Sequence, residues 1–139
     1  MDNSDLDESL EGNKLYGGSF PCNCIPKPTR KPIAFIVNTD KAGEPGTHWV
    51  ALLLLDDGAG EYFDSFGLPP FEKSIINYIK DNCTKLVYND KHIQNNTAKT
   101  CGLYCVKFIE ARSLGIDMDM FLHMFSKLLP ENEKLLPRL

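Results

Sequence analysis

Thr100-Cys101-Gly102-Leu103-Tyr104-Cys105 puts a thiol at the predicted start of a helix, after a polar loop and directly before a glycine. A helix N-terminus offers free N–H groups and the positive end of the macrodipole, so a thiolate there is stabilised. The same N–H groups can hold an oxyanion formed by attack on a carbonyl, and Gly102 lets a substrate backbone approach closely. Cys101 is therefore placed as a nucleophile, with burial as a small hydrophobe the competing reading. Cys105, one turn on and beside Phe108 and Ile109, reads as core.

A thiol nucleophile needs a base and a group to orient that base. Three histidines are available. His123 lies between Leu122 and Met124 and reads as helix packing, and His92 reads as a solvated loop residue. His48 opens an apolar strand beside the only tryptophan, Trp49, directly after a Gly/Pro loop, where a cleft is often bordered. It is the preferred base, with His92 the alternative. Asp64, flanked by Phe63 and Phe66, is a candidate to orient it. Gln94, seven residues before Cys101, can complete an oxyanion hole with its amide, although a loop glutamine is ordinarily surface. Cys22-Asn23-Cys24 lacks the partner spacing of a structural zinc site, and no metal or cofactor is expected.

The elements that must position these residues follow from the apolar runs. Residues 1–31 read as a flexible acidic arm and an extended Pro- and Cys-containing lead-in, and residues 32–139 as a single domain. Ile33 to Asn38 reads as a buried strand. His48 to Leu55 and Glu61 to Phe66 read as a hairpin around Asp56-Asp57-Gly58-Ala59-Gly60. Phe71 to Asn82 shows a helical stripe of Phe71, Ile75, Tyr78 and Ile79, opened by Pro69-Pro70. Leu86 to Tyr88 is a short strand, Cys101 to Leu114 a helix ended by Gly115, and Asp117 to Leu129 a last helix stopped by Pro130. Strands followed by flanking helices indicate α+β with a mostly antiparallel central sheet. The hairpin carries a demand: a two-residue turn at Asp57-Gly58 would pair Asp64 with Ala51 and put His48 on the other face. A triad needs an odd-length loop or a bulge, most simply a turn centred near Asp56.

The 139 residues, 42% hydrophobic and 24% charged, describe one compact soluble domain. The longest strongly apolar run, Val50 to Leu55, is too short to span a bilayer, and no charged-then-apolar leader opens the sequence. Neither a membrane protein nor a secretory precursor is expected. The net charge is −4, and the acids Asp2, Asp5, Asp7, Glu8 and Glu11 hold more than that alone. The bulk is thus near neutral and lacks the basic excess of a nucleic-acid binder. Five cysteines without paired spacing indicate a reducing compartment. No Gly-rich phosphate loop is present.

Taken in order, Gly46-Thr47-His48-Trp49, Phe63-Asp64-Ser65-Phe66-Gly67, Gln94 and Cys101-Gly102-Leu103-Tyr104-Cys105 resemble the adenovirus endopeptidase and the clan that includes ubiquitin-like-protein (SUMO) proteases. The stretch Ile33 to Asp40 is similar to the strand and turn before the histidine in adenoviral members. The Phe66-Gly67 and Gly102-Leu103 pairs stand nearer the adenoviral branch, and Thr100 stands where the SUMO branch usually carries Asp. The resemblance implies a papain-like architecture and a thiol endopeptidase in which His48 is the base, Asp64 the orienting acid, Gln94 the oxyanion amide and Cys101 the nucleophile, with Trp49 walling the cleft. It implies protein substrates, such as viral or virus-like structural precursors, inside a host cell or virion. It also implies an activating peptide tethered near Cys83, whereas DNA as a cofactor is not favoured by the charge. The alternatives are a processing or deconjugating protease for a ubiquitin-like modifier and a non-catalytic binding domain that retains the fold.

Overall fold

The computed structural model describes residues 1–139. Its centre is a five-stranded sheet in the order β1 (Tyr16–Pro21), β2 (Ile33–Asn38), β3 (Trp49–Leu54), β4 (Ala59–Phe63), β5 (Lys85–Tyr88). The two central pairings, β2 with β3 and β3 with β4, are antiparallel, and both outer pairings are parallel. The fold is α+β with a mixed sheet. Strands β2, β3 and β4 are buried along their whole length, which is why their sequences are apolar runs without polar alternation.

The twofold period of the strands sorts their side chains into two cores. Ala34, Ile36, Ala51, Leu53 and Phe63 face the helix α3 (Cys101–Ser113). Phe35, Val37, Val50, Leu52 and Tyr62 face α2 (Lys73–Asn82), which contributes Ile75 and Ile79. Phe71, expected in that helical stripe, is instead 58% exposed, because the helix begins two residues later with Glu72 as its cap. Helix α3 is apolar on nearly all sides and correspondingly enclosed. Arg112 in its last turn makes a two-pronged ion pair with the buried Glu61 of β4, at 3.0 Å on each prong, fixing the helix against the sheet.

The expected flexible arm is a helix, α1 (Asn3–Ser9), and the lead-in contains β1. Asp2 and Asp5 form a reciprocal capping box, and the acids sit where the macrodipole favours them. Leu6 and Leu10 are the helix's apolar anchors, and both are buried in the core on the α3 side. A second difference lies at the other end. The helix expected over residues 117–129 is two: α4 (Met118–His123), capped by Asp117, and α5 (Leu129–Leu135). Lys91 donates to the carbonyls of Leu122 and Phe125, at 2.9 and 2.6 Å, and so satisfies the chain where α4 ends. Pro130 opens α5, where its missing N–H costs nothing, and does not stop the preceding helix. His123, expected to pack, is exposed at the end of α4. No helix is long and apolar enough to cross a membrane.

Replacing Leu6 with Ala should cost about 3 kcal/mol of stability, as for other buried leucines, read from the urea midpoint. An unpacked arm would give a change below about 0.5 kcal/mol.

Candidate active site

His48 sits one residue before β3 and Asp64 one residue after β4, at the same end of the hairpin. The parity demand is met, though by a turn one residue away from the simplest expectation. Ala51 lies opposite Phe63 and Leu54 opposite Gly60, and Leu55 N donates to Ala59 O at 2.9 Å. The loop is therefore the three residues Asp56 to Gly58, with Gly58 at φ +90° supplying the left-handed position that closes such a loop. The odd loop puts positions 48 and 64 in the same parity, and the His48 Nε2 to Asp64 Oδ1 distance is 2.9 Å.

Asp64 is fully buried and held from several sides. Its Oδ1 also accepts from Phe66 N at 2.8 Å. The Asn89 side chain clamps the Asp64 backbone, accepting from its N–H at 3.0 Å and donating to its carbonyl at 2.6 Å. Oδ2 has no hydrogen-bond partner. The Phe66 ring stacks on the His48 imidazole, centroids 4.9 Å apart and planes 21° from parallel, and limits its rotation. His92, the alternative base, lies edge-on to the far side of Phe66 and bonds to the Gln94 carbonyl at 2.7 Å. Asn89 gives no warning in sequence, since nothing local distinguishes it from an ordinary residue after a short strand.

Cys101 is the first residue of α3, in the predicted place. With Nε2 engaged by Asp64, the remaining ring nitrogen of His48, Nδ1, is left for the Cys101 thiol, and both residues border the same cleft. Trp49 N–H donates to Cys101 Sγ at 3.4 Å. Burial alone opposes charge on both partners. For His48 it is outweighed by the Asp64 hydrogen bond and the nearby Cys101 thiol, and the imidazole pKa is raised to about 9. For Cys101, burial raises the pKa, but His48 and the N–H groups of Trp49 and Gly102 lower it further, and the net shift is downward. The two shifts agree in describing a thiolate–imidazolium pair. Cys105, fully enclosed, is pushed the other way by burial.

Gln94 is buried, contrary to the ordinary behaviour of a loop glutamine. Nε2 donates to Ala98 O at 2.8 Å, an acceptor-only partner that assigns the amide orientation, and Ser65 Oγ then donates to Oε1. An amide nitrogen carries two hydrogens, so one N–H remains to face the cleft that Gln94 lines. That cleft holds about 380 Å³ and is bordered by His48, Trp49, Phe66, Gln94, Cys101 and Gly102. The Trp49 indole N–H donates to the Met1 carbonyl at 3.0 Å, so α1 and the residues before it brace the cleft wall. Gly102 borders the cleft and is also crowded by the chain itself. A Cβ there would lie 3.2 Å from Leu6 and 3.3 Å from Trp49.

The five cysteines are all free, and no three His, Cys, Asp or Glu side chains converge as metal ligands would. The expected site residues His48, Asp64, Gln94, Cys101, Trp49 and Gly102 come together, whereas His123 and Cys83 lie outside the cleft.

Alkylation by iodoacetamide should separate these thiols. Cys101 should react at pH values below the ordinary thiol range, in the window between its lowered pKa and about 9, and His48→Ala should move its profile upward. Cys105 should react only on unfolding. Because folding raises the His48 pKa from 6.5 to about 9, its contribution to stability is fully present below pH 6.5 and is lost as pH climbs through 9. The stability difference between wild type and His48→Ala should shrink over that interval in urea titrations.

The adenovirus endoprotease family matches residues 15–120. The chain is 29% identical over 90 residues to a protease of Bovine adenovirus C serotype 10, covering 55% of this chain and 46% of that protein. It is 33% identical over 86 residues to a putative thiol protease of Acanthamoeba polyphaga mimivirus, covering 55% of this chain and 28% of that protein. The chain thus spans less than half the length of these curated relatives. Among solved structures, an ASFV protease superposes with a TM-score of 0.55 at 24% identity, over 74% of this chain and 42% of the other. The central domain of an uncharacterized Legionella pneumophila protein superposes with a TM-score of 0.58 at 12% identity, over 99% and 92%. At those identities the likeness is one of fold. The family match covers the whole sheet together with His48, Asp64, Gln94 and Cys101, and on that match the chain belongs to the adenovirus endoprotease family.

Proposed function

We propose that the chain is a cysteine endopeptidase in which Cys101, His48 and Asp64 form the catalytic triad and Gln94 supplies an oxyanion donor. The observation that carries this reading is the His48 ring, bonded to Asp64 through Nε2 and sharing one cleft with Cys101 at the start of α3. In that arrangement the thiolate attacks a scissile carbonyl carbon, and the carbonyl π electrons move to oxygen. The resulting oxyanion is held by Gln94 Nε2–H and the Cys101 backbone N–H. His48 then protonates the leaving amine, and the C–N bond breaks to leave a thioester. The now neutral imidazole takes a proton from water, hydroxide equivalent attacks the thioester, and the acid product leaves as the thiolate returns. Asp64 holds the ring in the orientation that both proton transfers use.

The substrates in this reading are proteins, with structural precursors of a virus or virus-like element the favoured class and small residues near the cleaved bond. The preference for small residues follows the family resemblance, and the cleft beside Cys101 is bordered by Trp49, Phe66 and His48. An activating partner would meet Cys83 at the end of α2, where the half-buried thiol packs against Gly60 and burial raises its pKa.

A fluorogenic peptidyl-Gly-Gly amide tests the assignment. Wild type should release the fluorophore, and Cys101→Ala should abolish release while still unfolding in one cooperative urea transition. Release retained by Cys101→Ala would overturn the reading. Gln94→Ala should lower kcat by about two orders of magnitude, the usual cost of an oxyanion donor, with a much smaller change in KM. A wild-type kcat in that variant would remove Gln94 from the oxyanion hole. Cleavage confined to precursors of a ubiquitin-like modifier would move the substrate class to that alternative.

A further inference from the structure

One carboxylate outside the cleft is bonded to both of the backbone segments that carry the oxyanion donors. Glu133, on α5, accepts from the Thr100 hydroxyl through Oε1 at 2.7 Å. Its Oε2 accepts from Asn95 N at 3.1 Å and from the Tyr104 hydroxyl at 2.6 Å. Asn95 follows Gln94, Thr100 precedes Cys101, and Tyr104 stands one turn further along α3. The neighbouring Asn132, buried, donates to Ile93 O at 3.0 Å. Helix α5 thus grips the 93–100 loop at its two ends.

The bond to Thr100 has a chemical consequence at the helix start. Thr100 occupies the N-cap of α3, where a threonine oxygen ordinarily accepts from the N–H two or three residues on. Here it makes no such bond, its backbone is not in the extended conformation typical of a cap, and its hydroxyl points its proton at Glu133. The first-turn N–H groups of α3 are left unspent by side-chain capping, and those are the groups a thiolate or an oxyanion can use.

We propose that Glu133 is a positioning residue for catalysis: its carboxylate sets the spacing between Gln94 and the Cys101 N–H and draws the Thr100 hydroxyl away from the helix N-terminus. This role rests on the endopeptidase function proposed for the cleft. Glu133 touches neither substrate nor the reacting atoms and acts through Asn95 and Thr100.

The test compares wild type, Glu133→Gln, Thr100→Val and the double variant on the peptidyl-Gly-Gly amide, with Cys101 alkylation by iodoacetamide followed against pH in the same proteins. In Glu133→Gln the amide oxygen takes the Oε2 place, where Asn95 N–H and the Tyr104 hydroxyl both donate, and the amide nitrogen faces Thr100, whose hydroxyl loses its acceptor. The expected result is a kcat lower by about tenfold, the loss that follows from removing a hydrogen bond to a charged group, with KM little changed. The alkylation profile should move far less than kcat, since displacement on an alkyl halide develops no oxyanion and His48, Asp64 and the Trp49 N–H are untouched, the Gly102 N–H being the least of the influences that lower the thiol pKa. The double variant should fall short of the product of the two single effects, because both remove the same bond. Wild-type kcat in Glu133→Gln overturns the proposal. So does a kcat loss accompanied by an equal shift of the alkylation profile, which would mean general loosening. If Glu133→Gln does not fold, Thr100→Val takes its place: a lowered kcat with a far smaller change in the alkylation profile supports the role, and a wild-type kcat overturns it. Absence of Cys101-dependent cleavage in wild type overturns the endopeptidase function, and the role of Glu133 with it.

Discussion

The strand register of one hairpin decides whether this molecule has a site at all. His48 and Asp64 belong to β3 and β4 only as their immediate extensions, and a strand has two faces. With Ala51 opposite Phe63, the two residues share parity and meet. A slip of one residue would turn every apolar side chain of one strand to the wrong core and would separate the imidazole from its acid in the same movement. The register is fixed from both ends: by Gly58 in its left-handed turn, and by two buried cores that tolerate only one alignment. Packing and chemistry thus select the same pairing.

The thiol is placed by a different constraint. Helix α3 is enclosed by the sheet on one side, by α1 over Gly102 and by the helices that follow it, so its start is an end point set by the whole fold. The Glu61–Arg112 pair secures the far end of the helix against β4, the strand that leads to Asp64. A buried ion pair is weak evidence of stability by itself, but it does fix a distance.

The candidate site was legible in sequence because its residue types stand at junctions. His48 begins an apolar run, Asp64 ends an aromatic one, and Cys101 opens a helix beside glycine, so each interrupts a pattern that packing alone explains. Strands β2 and β3 were legible for the complementary reason, as apolar runs broken only by Asn38 at the end of β2. What stayed hidden depended on partners far away in the chain. Asp2 and Asp5 spell a capping box, but only burial of Leu6 and Leu10 against α3 makes those acidic residues a helix, and a count of charges points the other way. The break between α4 and α5 has no local signal except Pro130, which fits the start of a helix as well as the end of one. The carbonyls released there are satisfied by Lys91, from a loop more than thirty positions earlier. Asn89 and Ser65, which hold Asp64 and Gln94 in place, are polar residues whose burial only the tertiary structure reveals.

The Trp49 N–H reaches the Cys101 sulfur across a sequence separation of 52, and the braces beneath the cleft run from Leu6 to Glu133. Every influence that lowers the thiol's pKa, save the N–H of Gly102 beside it, is therefore supplied by long-range contacts, which form late because each must first close a large loop. A nascent or partly folded chain carries five ordinary thiols and no pre-formed nucleophile. Reactivity at Cys101 arrives with cooperative folding, as a property of the finished molecule.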